Sequence, residues 1–386
     1  MQSHPELLSD EALALLEQRI AAARTVGNSR AVAFFEEHLS LLRRCREVGA
    51  AAAFAEKIGV RVEELERRKA KGAVPAVFAS WLATAQQAER RFLQTDDRNA
   101  LTTAVEAWRQ ILEHPAFQTA PLEFRCAVLN DAGGTFLRCY WAQGRAADLE
   151  RALTFWTEAL AATPPDSPDR PSILNNLGTG LHARYDRSGR LEDLDAAIAA
   201  WQQALDTTPP DSPNRPSILN NLGRGLRARY DRSGRLDDLK QARRSYALAC
   251  KKGQLLAPDI ALTASQSWGR WAGERHHWKE AAYAFGFGLE TIEQLHRAQM
   301  RRSDQESWLS AARGLHTSAA YALVRAARPG ALRRAVEVAE LGRARGLGET
   351  LTRDRSDLSI IERDYYSVKH ESLDTNVSVS CGHWRW

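Results

Sequence analysis

The chain has 386 residues, 26% of them charged and 44% hydrophobic, a balance that is ordinary for a soluble globular protein. Its formal net charge is +5, with 53 lysines and arginines against 48 acidic residues, so it lacks the dense positive charge that is typical of nucleic-acid-binding proteins. The five cysteines are scattered and show no Cys-x-x-Cys spacing, which argues against a metal site or a disulfide scaffold.

The N-terminal region is helical and matches no later segment of the chain. Apolar residues recur at helical spacing from Leu7 to about Lys71, and this predicts two antiparallel helices joined at residues 27–29 and a third through Val62–Lys69. An end unit of a repeat array has one neighbour only and faces water on its other side. The sequence therefore predicts an N-terminal helical capping region over 1–72.

Neither a membrane segment nor a secretory signal is visible in this region. The longest wholly apolar run near the start is Ala50–Ala55, whereas a helix that spans a bilayer needs about 20 residues. Glu6, Asp10 and Glu11 interrupt the segment in which a signal peptide would place basic and then apolar residues. We therefore expect a cytoplasmic protein that does not bind a membrane.

Two identical segments, Arg170–Gly178 and Arg215–Gly223, lie 45 residues apart and organise the middle of the chain. Within one unit, apolar residues follow helical spacing twice. Gly189 stands where the first helix would end in the left-handed conformation, and the prolines after Leu205 prevent the second helix from continuing. Each unit is predicted to be a helix, a short turn, a second helix and a rigid loop.

One apolar face of each second helix is predicted to form the core. In the unit between the two copies, this face consists of Leu191, Leu194, Ile198, Trp201 and Leu205. Aromatic residues recur at the equivalent position of successive units, as Trp108, Trp156, Trp201 and Tyr246. Because a buried ring removes about 150–250 Å² of surface from water, we expect these aromatics to fill the gaps between helices.

The repeats are predicted to cover residues 73–300. The units of 45 residues lie at about 125–169, 170–214 and 215–256. After them the aromatic and glycine positions come closer together, and a shorter unit is expected at about 257–295. A period of this size indicates stacked helical units that bury their apolar faces on one another.

This pattern resembles the tetratricopeptide repeat. The residues that carry the resemblance are Leu174, Leu177, Gly178, Leu181, Ala197, Trp201, Ala204 and Pro209. The family unit has about 34 residues, and the units here are longer both between the two helices and in the proline loop. A repeat array tolerates insertions at these places. The resemblance implies an all-α fold, a right-handed superhelical solenoid of tetratricopeptide-like helix hairpins.

The sequence after the repeats predicts a C-terminal helical hairpin over 301–356, built from helices through Ser303–Ala327 and Ala331–Leu351. Its polar face mixes both signs of charge, which is typical of a solvated surface. In residues 357–386 the helical apolar stripe ends and Ser, Asn, Asp and Tyr are frequent. We expect an irregular tail there.

Three segments are similar to the helical part of bacterial proteins that couple tetratricopeptide repeats to a CHAT-type, caspase-like cysteine protease domain. They are residues 4–9 with 41–47, the paired Leu-Asn-Asn-Leu-Gly repeats with their proline loops, and residues 335–347. In that family the last helix leads into the protease. Here Cys381 and His383 lie in the predicted tail, where no sheet would fix the geometry of a nucleophile and base. The resemblance implies the regulatory half of such a system without its effector.

A column of polar residues on the first helices is the candidate binding site, because the first helices of tetratricopeptide arrays line a concave groove. The candidate groove residues are Asn130, Arg138, Asn175, Asn176, Thr179, His182, Asn220, Asn221, Arg224 and Arg227. An asparagine amide donates and accepts hydrogen bonds, so a ladder of asparagines can bind the backbone of an extended peptide. Alternatively, each asparagine bonds the neighbouring unit and fixes the stacking of the repeats. Both interpretations stay open here.

The sequence predicts a non-enzymatic scaffold or adaptor that binds a protein or peptide partner and needs no cofactor. The groove arginines would favour acidic or phosphorylated partners. The chain has no phosphate-binding loop and no hydrolase or zinc-protease motif, and His276-His277 have no third metal ligand nearby in the sequence, so no catalytic or metal site is expected. The regulatory half of a caspase-like protease system is the first alternative function. RNA binding along a basic superhelix is the second.

Overall fold

The computed structural model describes residues 8–25, 29–58, 74–297, 314–327 and 329–343. Within these ranges the chain is helical almost throughout and contains no strand. The all-α prediction is therefore confirmed. Contacts between Cα atoms divide the chain into two compact units, Met1–Ala183 and Arg184–Trp386.

In the first unit, successive helices pack against one another along the chain. The helices are α1 (Asp10–Thr25), α2 (Ser29–Val48), α3 (Ala50–Ile58), α4 (Ala79–Thr95), α5 (Arg98–Glu113), α6 (Leu122–Gln143), α7 (Ala146–Ala162) and the greater part of α8 (Arg170–Ser188). Contacts join α1 to α2, α2 to α3, α4 to α5, α5 to α6 and α6 to α7. Helices α6 and α8 carry the candidate groove residues of this unit.

Helices α1 and α2 are antiparallel, as the periodicity predicts. Asp10 pairs with Arg46 at 2.6 Å, and Arg24 pairs with Glu36 at 2.5 Å, so the start of each helix meets the end of the other. A helix that the sequence analysis did not predict, α3, follows α2 after one residue. The predicted helix through Val62–Lys69 falls outside the described residues.

The second unit repeats the same kind of packing. Its helices are α9 (Leu191–Thr207), α10 (Arg215–Ser233), α11 (Leu236–Leu256), α12 (Pro258–Glu274), α13 (Trp278–Arg297) and α14 (Leu315–Ala326), and residues 331–343 are also helical. Contacts join each of the helices α9 to α13 to the helix that follows it in the chain. The first and last parts of the predicted C-terminal hairpin, 301–313 and 344–356, and the whole predicted tail, 357–386, lie outside the described residues.

The ends of the repeat helices follow the predicted turn chemistry. Gly189 has φ 71°, in the left-handed region, and its N–H donates to the carbonyl oxygen of Tyr185 at 2.7 Å. Gly234 has φ 70° and makes the same bond to Tyr230, also at 2.7 Å. Since glycine has no Cβ, it adopts this conformation at little cost. Helix α9 then stops at Thr207, directly before the proline loop.

The arginine that opens each repeated segment anchors the loop before it. The Nη1 of Arg170 donates to the carbonyl oxygens of Leu160 at 3.1 Å and Thr163 at 2.8 Å. Arg215 makes the two equivalent bonds, of 2.9 and 2.6 Å, to the end of α9 and the residue after it. The last carbonyls of a helix have no partner within the helix, so these arginines fix where the second helix ends and the next first helix begins.

The aromatic column is buried, as predicted. The exposed fraction is 0% for Trp108 and Tyr246 and 1% for Trp156 and Trp201. Two residues of the predicted core face depart from this pattern, since Leu205 is half-buried and Leu191 is 41% exposed. Leu191 is the first residue of α9, so no preceding turn of the helix lies beside it.

Glycines on the first helices allow these aromatic rings to lie close to the helix backbone. A Cβ atom at Gly133 would stand 2.6 Å from Nε1 of Trp156, and one at Gly180 would stand 2.7 Å from Cζ3 of the same ring. In the second unit, a Cβ at Gly225 would lie 2.7 Å from Cζ3 of Trp201. Two glycines stand two residues apart in each repeat, as Gly178 and Gly180 and as Gly223 and Gly225. The second glycine of each pair is a packing residue, a role that the sequence analysis did not assign to it.

A pair of glycine substitutions tests this role with opposite expected signs. Gly225→Ala places a methyl group against Trp201, and the overpacking cost of about 1–3 kcal/mol exceeds the gain in helix propensity of about 1 kcal/mol. A Cβ at Gly286, inside α13, meets no atom within 4 Å, so Gly286→Ala is expected to stabilise by about 1 kcal/mol. Urea unfolding followed by circular dichroism measures both. Equal shifts of the two variants would contradict the packing role.

Candidate functional site

The predicted groove residues lie on the first helices α6, α8 and α10, and the structure separates them by burial. Most are half-buried, and Arg224 is exposed. In contrast, His182 is only 7% exposed and Asn220 only 6%. Both residues lie inside the helix packing, so their predicted contact with a peptide has little surface to use. The other predicted residues keep access to solvent.

In the first unit, an asparagine pair joins two consecutive first helices. The Nδ2 of Asn176 on α8 donates to Oδ1 of Asn130 on α6 at 2.9 Å. The backbone oxygen of Asn130 also accepts a bond from Nε1 of Trp156 at 3.0 Å. These contacts agree with the interpretation that the asparagines bond a neighbouring unit and fix the stacking of the repeats. Asn176 is half-buried on α8.

The predicted groove arginine of the first unit, Arg138, has an acidic partner. Arg138 on α6 lies 3.7 Å from the carboxylate of Glu89 on α4. Both side chains are shielded from solvent to a large extent, with 31% and 18% exposed. Because the carboxylate offsets the guanidinium charge, Arg138 adds little net attraction for an acidic peptide.

The second unit has a mixed cluster around Arg227. Its guanidinium lies 3.4 Å from Asp231 and 3.0 Å from Glu274, and it stands 5.9 Å from the centre of the Trp271 ring. Arg224 is exposed and has no ion pair within the described part of the chain. Two of the three predicted groove arginines are therefore balanced by carboxylates. This arrangement gives no support to a general preference of the groove for acidic partners.

Buried ion pairs hold the two helices of a unit together at their turn. Arg229, near the end of α10, donates from Nε and Nη2 to the two oxygens of Asp238 on α11, at 2.9 and 2.8 Å. These bonds raise the pKa of Arg229 above its ordinary value. At the equivalent positions, Nη2 of Arg184 donates to Oδ1 of Asp193 at 2.7 Å. The two arginines lie 45 residues apart, and so do the two aspartates. This recurrence indicates an ion pair in each repeat, and the sequence analysis did not use it.

Two of the described cysteines, Cys139 and Cys250, are buried. Burial raises the pKa of the Cys250 thiol to about 12 and that of Cys139 to about 11, so both are protonated at neutral pH. Cys381 and His383 lie outside the described residues. Among the residues that the structure describes, no group of three or more His, Cys, Asp or Glu side chains is arranged to hold a metal ion.

None of the described helices is both long and apolar enough to cross a bilayer.

The tetratricopeptide repeat family matches residues 172–214. This match covers the second of the units predicted at a spacing of 45 residues, and it confirms the tetratricopeptide resemblance for that segment. No curated protein matches the chain.

Several solved structures are similar to the chain. MamA is 17% identical over 53% of this chain and 95% of its own length, with a TM-score of 0.35. BtubC (BKLC) from P. vanneervenii is 18% identical over 70% of this chain and 91% of its own, with a TM-score of 0.38. A tetratricopeptide repeat protein from Parabacteroides merdae is 14% identical over 68% of this chain and 99% of its own, with a TM-score of 0.26. At these scores, no conclusion about partners or ligands is carried over from them.

The resemblance to the helical part of CHAT-type protease systems stays a prediction. Residues 4–7 and 344–347, which belong to the segments that carry it, lie outside the described residues. RNA binding also stays a prediction.

Proposed function

We propose that this chain is a non-enzymatic scaffold that binds an extended segment of a partner protein along the exposed surface of its first helices. Binding of protein segments is the general role of tetratricopeptide repeats, and the chain contains a matched repeat at 172–214. Within the second unit the partner segment contacts the polar positions of α10, and the equivalent positions of the first unit lie on α8. The segment is held by hydrogen bonds to its backbone.

The observation that carries the proposal is the accessibility of one polar position in both copies of the identical segment. Ile173 and Ile218, which belong to this segment, are 2% and 1% exposed. Asn176 and Asn221, three residues further along the helix, are half-buried in both units and reach solvent. Asparagine has a lower helix propensity than alanine or leucine. Its recurrence at an accessible helical position supports a role in binding.

The acidic preference that the sequence indicated does not form part of the proposal for the groove. In the first unit, Glu89 offsets Arg138, and in the second, Asp231 and Glu274 offset Arg227. Arg224 is the remaining cation. We infer that hydrogen bonds to the peptide backbone determine affinity here, and that charge has a smaller effect.

The proposal is tested by selecting peptides and then removing the accessible groups. Random peptides displayed on phage are selected on the immobilised chain, and the dissociation constant of a selected peptide is measured by isothermal titration calorimetry. Asn221→Ala together with Arg224→Ala is expected to weaken binding by about tenfold, since each lost hydrogen bond contributes about 0.5–1.5 kcal/mol.

The control replaces the same two residue types elsewhere on the same helix. Asn214 and Arg232 stand at the two ends of α10, both are exposed, and neither belongs to the predicted groove. Asn214→Ala with Arg232→Ala is expected to leave the dissociation constant unchanged. If the two double variants bind the selected peptide equally well, the groove is not the binding surface.

A further inference from the structure

A second surface, separate from the proposed groove, carries a concentration of positive charge. A cleft of about 820 Å³ lies in the second unit, bordered by α11, the turn between α12 and α13, α13 and α14. The charged residues that line it are Lys240, Arg243, Arg244, Lys279, Arg325 and Glu280. None of the predicted groove residues lines this cleft, which we call the cationic cleft.

The single carboxylate among these residues is already neutralised. Glu280 accepts hydrogen bonds from Nε1 of Trp268 at 2.6 Å and from Nη2 of Arg275 at 3.0 Å, and it pairs with Nε of Arg243 at 3.1 Å. Only 7% of its side chain is exposed. It therefore orients Arg243 and does not reduce the charge of the other cations.

The remaining cations have weak partners or none. Lys240 lies 3.6 Å from Asp237, and both side chains are more than 70% exposed, so the pair is a weak surface interaction. Arg244 and Lys279 have no ion-pair partner within the described ranges. Arg325 lies over the ring of Trp278, 5.1 Å from its centre. Four positive charges thus face one cleft without a buried counter-charge.

Two further features of the cationic cleft favour an anion. Helix α13 begins at Trp278 on its wall, and the first amides of a helix have no acceptor within the helix and attract negative charge. The ring of Tyr283 is 61% exposed beside the cations. The cleft therefore combines donors for an anion with an apolar contact next to them.

We propose that the cationic cleft binds a phosphorylated, acidic segment of a partner protein. A carboxylate carries one negative charge, whereas a phosphoserine carries about −1.5 to −2 at pH 7 and presents three acceptor oxygens. Arg244 and Arg325 can each hold a phosphate with two parallel hydrogen bonds. Lys240 and Lys279 then interact with acidic residues that flank the phosphate. The charge complementarity of the cleft selects this partner.

A single-stranded nucleic acid fits the cleft less well than a phosphopeptide. Such strands are held by grooves that continue along the backbone and by a succession of open aromatic faces. Here Trp268 is only 3% exposed, and Arg325 lies over the ring of Trp278. Of the tryptophan and tyrosine rings that line the cleft, only that of Tyr283 is exposed. Asp237, next to Lys240, also interrupts the run of cations at the start of α11.

Fluorescence anisotropy with the full chain tests the proposal. The probe is a labelled twelve-residue peptide in which two phosphoserines stand among glutamates, and the comparison peptide has serines in place of the phosphoserines. We expect the phosphorylated peptide to bind at least about tenfold more tightly than its unphosphorylated form. We also expect Arg244→Glu with Lys279→Glu to weaken binding of the phosphorylated peptide by about tenfold or more.

The control variant is Arg232→Glu with Arg270→Glu, which changes the net charge of the same unit equally through exposed residues outside the cleft. It is expected to bind the phosphopeptide like the unmodified chain. Equal losses in the two variants, or no phosphopeptide binding at all, would overturn the proposal. Tighter binding of ATP or of a labelled uridine oligonucleotide than of the phosphopeptide would assign the cleft to another ligand. All these variants leave the groove residues unchanged, so this test and that of the groove fail independently.

Discussion

Replacing Trp201 by alanine is expected to lower the free energy of unfolding of the second unit by about 3–5 kcal/mol. The indole is 1% exposed and lies against the backbone of α10 at Gly225. Its loss leaves a cavity that the neighbouring helices cannot fill, because the residue that faces it is a glycine. Equilibrium unfolding in urea, followed by circular dichroism at 222 nm, measures the change.

Trp141 provides the matched control for this substitution. It is also a helical tryptophan, but 60% of its side chain is exposed. Trp141→Ala is expected to change the free energy of unfolding by less than about 0.5 kcal/mol, as is usual for surface positions. If both variants lose the same stability, the aromatic column is not the structural core of the repeats.

Replacing Asp238 by alanine is the second substitution with a large expected effect. Asp238 is 1% exposed and accepts two hydrogen bonds from Arg229. Removing one partner of a buried ion pair typically costs about 3–5 kcal/mol, because the other charge is left without compensation. Arg229 keeps a bond of 2.7 Å to Asp195, which places the expected loss at the lower end of this range.

The neighbouring aspartate is the control for this second substitution. The side chain of Asp237 is 78% exposed, and within the described part of the chain its one ion pair is with Lys240. Asp237→Ala is expected to leave the unfolding midpoint close to that of the unmodified chain. A loss for Asp237→Ala as large as that for Asp238→Ala would show that the buried pair has no special part in joining α10 to α11.

Much of the repeat architecture was predictable from the sequence, because the features that define it are local and recur. The helix-ending glycines, the proline loop and the aromatic column each follow from residue type and spacing alone. The position of Leu191 was predicted wrongly, because helical periodicity alone does not show that the first turn of α9 lacks a covering neighbour. Burial at a helix end depends on the next element.

The candidate site was predictable only as a set of positions. Spacing placed the polar residues on the first helices, but it did not distinguish the buried Asn220 from the accessible Asn221. The carboxylates that offset Arg138 and Arg227 come in part from other helices, at Glu89 and Glu274. Their approach depends on how the helices pack. A single helical pattern therefore overestimated the positive charge of the groove.

The cationic cleft was missed for a related reason. Its cations are distributed over α11, α13 and α14, and no short stretch of the sequence is strongly basic. Packing brings Lys240 and Arg325, which are 85 residues apart in the chain, to the same cleft. A small net charge is compatible with such a surface. The electric field that a ligand meets depends on the local arrangement of the charges and not on their sum over the chain.

Photo-crosslinking tests most directly whether the first helices bind a partner segment. A selected peptide that carries a photoreactive phenylalanine is irradiated with the full chain, and the crosslinked residues are identified by mass spectrometry. We expect crosslinks within 175–179 on α8 and 221–227 on α10, and fewer of them on α10 when Asn221 and Arg224 are replaced by alanine. Crosslinks confined to the second helices, or a pattern that these replacements leave unchanged, would contradict peptide binding by the first helices.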